Sequence, residues 1–72
     1  MKELVASLNS NGVGMDISVG EYKFTDVQDT PVLEQVSFVV SGDAGVELDD
    51  PMFIGDELAE RVINILNGED GN

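Results

Sequence analysis

The stretch from Asp50 to Gly68 constrains this chain more than any other, because it carries start, body and stop signals of one amphipathic helix. Asp50 can accept hydrogen bonds from the free amides of a first turn. Pro51 suits the first helical position, where a missing N–H costs nothing. A second possible start lies at Gly55-Asp56, with Asp56 and Glu57 at the positive end of the helix dipole. Ile54, Leu58, Val62, Ile65 and Leu66 recur at the spacing of one helical face. That spacing predicts a buried stripe, with Leu58, Val62 and Leu66 in the core. Gly68, after Asn67, supplies the left-handed residue that closes a helix.

A helix with one apolar face needs a surface to cover, and the residues before it read as strands. Asn11-Gly12 is a hairpin signal, and a two-residue type I′ turn there sets Leu8 against Met15, Ala6 against Ile17 and Leu4 against Val19. All six are apolar and share one face. After Gly20 the alternation changes parity. A type II′ turn of Gly20-Glu21 accounts for this, placing Val19 opposite Tyr22, Ser18 opposite Lys23 and Ile17 opposite Phe24. Asp26 then falls opposite Met15, so the ladder should bulge or end near Thr25. Thr25 to Pro31 reads as a connection, since proline cannot join a central ladder. Val36, Phe38 and Val40 alternate as a further strand, with Phe38 in the core alongside Ile17. Ser41 to Gly45 has turn chemistry, and Val46 and Leu48 resume the alternation. The expected fold is α+β: an antiparallel sheet of about five short strands in a meander of hairpins, with one C-terminal amphipathic helix on one face. One domain spans residues 1–72, with 69–72 a frayed tail.

Composition narrows the chemistry. At 72 residues and 7.7 kDa the chain can form one small core. Cysteine and histidine are both absent, which removes disulfide scaffolds, thiol and Ser/His/Asp nucleophiles, and ordinary zinc sites. Gly12-Val13-Gly14 leads into a strand rather than a helix, so it does not form a phosphate cradle. No enzyme activity, catalytic residue or cofactor is expected. Met1 to Val5 lacks the apolar run of a secretion signal, and no segment has the length of a membrane span, so cytoplasmic residence is the expectation.

Fifteen acids against three bases give a net charge of −12, while a hydrophobic content of 42% separates the chain from disordered acidic tails. Such a field repels nucleic acid and anionic membrane and attracts basic protein surfaces. The acids concentrate late: Asp43, Glu47, Asp49, Asp50, Asp56, Glu57, Glu60, Glu69 and Asp70 are interrupted by one base, Arg61. The oxygens of Asp43, Glu47, Asp49 and Asp50 suit Ca²⁺ or Mg²⁺, but they lack the order of an EF-hand and have structural roles in turn, strand and cap, so no metal is expected. Glu57 and Arg61 can pair at i,i+4. The expected partner-binding residues are Asp43, Glu47, Asp49, Asp50, Asp56, Glu57 and Glu60, forming one negative surface that imitates a phosphate array for a basic, nucleic-acid-handling partner. In size and charge, though through no motif, the chain resembles small virus-encoded inhibitors that occupy nucleic-acid sites of host enzymes. Two other readings fit the same composition. One is an assembly subunit that oligomerises through open sheet edges; the other is a domain whose acidity serves a salty environment; a monomer or a homodimer is expected.

Overall fold

The computed structural model describes residues 1–41 and 51–68, in the order β1 (Lys2–Leu8), β2 (Met15–Val19), β3 (Tyr22–Val27), α1 (Thr30–Ser41), β4 (Met52–Ile54) and α2 (Asp56–Leu66). The strands form one antiparallel sheet ordered β3-β2-β1-β4. The α+β class follows the sequence expectation; the five strands and single helix do not. Among the described residues there are four strands and two helices. The strand expected at Val46 and Leu48 and the tail 69–72 lie outside the described residues.

Both hairpin registers match the sequence pattern. Leu4 faces Val19, Ala6 faces Ile17 and Leu8 faces Met15, while Val19 faces Tyr22, Ser18 faces Lys23 and Ile17 faces Phe24. The first turn differs in type from the one expected. Gly12 alone has positive φ, at 73°, and its N–H donates to the Asn9 carbonyl at 2.8 Å. A type I′ turn would need positive φ at Asn11 too. Asn9 is the reason the chain turns differently: its side-chain Oδ1 accepts from the Asn11 N–H at 2.9 Å, which folds the segment as an Asx turn. In the second turn Gly20 has φ 61° and Glu21 does not turn positive, as a type II′ turn requires.

The bulge anticipated near Thr25 is present. Between Ile17↔Phe24 and Met15↔Val27, one residue of β2, Asp16, stands against two of β3, Thr25 and Asp26. Asp26 takes the left-handed conformation, with φ 57°, and its N–H donates to Asp16 Oδ1 at 3.0 Å. Gly14 lies tight against this bulge. A Cβ there would come within 2.6 Å of Asp26 Oδ1 and 3.1 Å of its carbonyl carbon.

The largest correction concerns residues 30–41, which form a helix where Val36, Phe38 and Val40 suggested a strand. Val32, Leu33, Val36, Val39 and Val40 fall on one helical face, and that face turns inward. Asp29 caps the helix: its carbonyl accepts from Leu33 N–H at 3.0 Å and its Oδ1 is 3.4 Å from Val32 N. Pro31 sits in the first turn, where its missing donor is harmless. Phe38, expected in the core, points outward and is 68% exposed.

Helix α2 takes the later of its two possible starts, after Gly55. Met52–Ile54 instead forms the edge strand β4, which pairs antiparallel with the beginning of β1. Gly68 is left-handed, with φ 77°, as the stop signal implied. The buried side of α2 is Ala59, Val62, Ile63 and Ile65, so it is rotated from the expected stripe. Leu66 is half-buried, and Leu58 lies at the margin with 38% exposure. Ala59, Val62, Ile63 and Ile65 pack with Leu4, Ala6, Ile17 and Val19 from the sheet, Ile54 from β4 and Val36 from α1 in one core.

Candidate functional site

Because one side of α2 is committed to the core, the other must face water, and it carries the expected carboxylates. Asp56, Glu57 and Glu60 are all exposed. Asp56 and Glu57 occupy the first turn, where the helix dipole favours negative charge. The N-terminal ammonium of Met1 lies 3.0 Å from Asp56 Oδ1 and holds that carboxyl below its ordinary pKa. Both groups are largely solvated, so the pair adds little to stability. Glu57 and Arg61 do not meet within ion-pair distance; among the described residues, the N-terminal ammonium and Asp56 form the ion pair. Asp43, Glu47, Asp49 and Asp50 lie outside the described residues, so the structure brings together only Asp56, Glu57 and Glu60 of the predicted surface.

Two features escaped the sequence reading. The first is a groove of about 450 Å³ between α1 and α2, lined by Pro31, Glu34, Gln35, Phe38 and Val39 on one wall and Arg61 and Ile65 on the other. Glu57, Arg61 and Ile65 form one row along α2 at i, i+4 and i+8, and only the last two line the groove, so the acidic face borders it. The helical spacing of Val32, Leu33, Val36, Val39 and Val40 was the signal that would have revealed the second wall.

The second is a polar cluster at one end of the sheet. Asp16 Oδ1 accepts from Asn9 Nδ2 at 2.8 Å and from the Asp26 N–H, and Gln28 Nε2 donates to Asp26 Oδ1 at 2.8 Å. The Asn9 amide and the Asp26 N–H hold the Asp16 carboxyl below its ordinary pKa. Each bond here closes a turn or a bulge, so the cluster serves the fold. Among the described residues no group of three or more acids is close enough to hold a metal ion, and no helix is long and apolar enough to cross a membrane.

In comparisons with protein-family models, curated proteins and solved structures, no match is found. The functional reading therefore stands on the residues themselves.

Proposed function

We propose that this protein is a non-catalytic, acidic protein-binding module whose α2 face engages a basic surface on a partner. Nucleic-acid-handling proteins are the partner class it suits best, with the carboxylates taking the place of phosphates. The observation that carries the reading is the division of α2: Ala59, Val62, Ile63 and Ile65 are buried, while Asp56, Glu57 and Glu60 are exposed on the remaining surface. A charged array on a helix anchored by its opposite side needs no backbone ordering at the moment of binding. With a net charge of −12, the chain would meet a basic partner under electrostatic steering.

The alternative of assembly through sheet edges draws less support. Among the described residues the sheet ends in β4, which has three residues, and in β3, which is bent by the bulge at Asp26; short and bulged edges are both poor templates for pairing. The test is capture of partners from extract, followed by competition between this protein and nucleic acid for the captured partner. The D56K/E57K/E60K variant should fold and lose inhibition. Unchanged inhibition by that variant, or simultaneous binding of nucleic acid and this protein, would overturn the reading.

A further inference from the structure

Helix α1 contrasts with the rest of this acidic molecule. From Thr30 to Ser41 it carries one charged residue, Glu34, and its outward side presents Phe38 beside Pro31 and Gln35. A 68%-exposed phenylalanine lining a groove is an apolar surface of the kind that marks an interaction site. Across the groove stands Arg61, whose guanidinium pairs with no carboxylate among the described residues. The groove thus holds one acid and one base, and its charge cancels locally.

We propose that two copies of this chain associate through the α1–α2 groove, about a two-fold axis that sets Glu34 of each copy against Arg61 of the other. Self-complementarity is what a two-fold interface demands, since one patch must serve as both partners. The Glu34/Arg61 pair supplies it in charge and Phe38 supplies it in apolar surface. Two chains of −12 repel each other over most of their surfaces, so contact is favoured where local charge sums to zero and apolar area can be covered. A domain of 72 residues also gains from association, because a core this small is close to the lower limit for independent stability.

This inference uses the surface next to the acidic face rather than that face itself, and salt separates the two. Added salt weakens binding of −12 to a basic partner, but it screens the repulsion between two like-charged copies and should strengthen self-association severalfold. The experiment is sedimentation equilibrium of the purified full chain across protein concentration, at low and at high salt. A monomer–dimer equilibrium that tightens with salt is expected. E34R and R61E, each at an exposed position, should weaken the dimer at least tenfold by placing like charges opposite one another. An equimolar mixture of the E34R and R61E chains should restore association, because each variant then faces its complement. F38A, which removes exposed surface alone, should weaken it without changing the far-UV spectrum. A monomer at every concentration and salt would overturn the proposal. So would a dimer indifferent to E34R and R61E, which would assign another surface, or a mixture that fails to restore association.

Discussion

Helix α2 buries Ala59, Val62, Ile63 and Ile65 on one side and exposes Asp56, Glu57 and Glu60 on the other, whereas α1 buries Val36 alone, half-buries four more apolar residues and leaves Phe38 in solvent. Both helices contribute to the same core, yet they stand in it differently. Strong amphipathicity fixes α2 against both the sheet and α1, and leaves its outer face mainly charged. Helix α1 leans mainly on α2, and its nearly uncharged outer face is still open to apolar contact. The difference shows how one small domain can offer two kinds of surface: one for opposite charge, and one for a complementary apolar shape.

The largest predicted effect is on the buried side of α2. Ile63→Ala should cost about 2–5 kcal/mol, enough to threaten folding in a domain this size, and urea unfolding measures it. Leu58→Ala should cost less, below roughly 2 kcal/mol, because Leu58 is 38% exposed and leaves only a partial cavity. If Leu58 proved as costly as Ile63, the buried side of α2 would be misplaced. Gly14→Ala tests the bulge that ends the β2–β3 ladder. The added methyl meets backbone as well as a side chain, and a loss of about 1–3 kcal/mol is expected. Phe38→Ala, the counterpart in α1, should leave monomer stability within about 0.5 kcal/mol. A large loss there would mean that Phe38 is packed rather than exposed, which would remove the contrast between the two outer faces.

The smallest effect concerns acid. The Asn9 amide and then the Asp26 N–H hold the folded Asp16 carboxyl below the ordinary aspartate range. The associated stability is therefore fully present above the unfolded pKa and is lost as pH falls through the lower folded value. Wild type should lose stability on acidification below about pH 4, and D16N should lose less over that window. Unfolding midpoints compared across that range check this, and identical acid sensitivity in both proteins would show that the cluster does not hold the carboxylate.

The strands were legible because their signals agree across register. Leu4, Ala6, Ile17 and Val19 share one face in the register that the turn through Gly12 sets, and Gly20 permits the next turn, into β3. Residues 32–40 support two periods at once. Val36, Phe38 and Val40 read as a strand by alternation and by β-branching, but Val32, Leu33, Val36, Val39 and Val40 read equally as a helical face. Asp29 and Pro31 decide between them, since a cap followed by proline opens a helix. Pro51 exerted the opposite pull. It made Asp50-Pro51 look like a helix start, yet the following residues pair with β1, which only the tertiary fold could reveal. The acidic face was legible as solvent-exposed helix surface; the groove beside it was not, because it requires knowing that α1 is a helix.

The central claim is that binding acts through the carboxylates of α2, and the salt dependence of affinity for a captured partner tests it most directly. Affinity for wild type should fall steadily with added salt, and the D56K/E57K/E60K variant should bind more weakly with a flatter or inverted dependence. An affinity indifferent to salt, or the same slope in wild type and variant, would contradict the account.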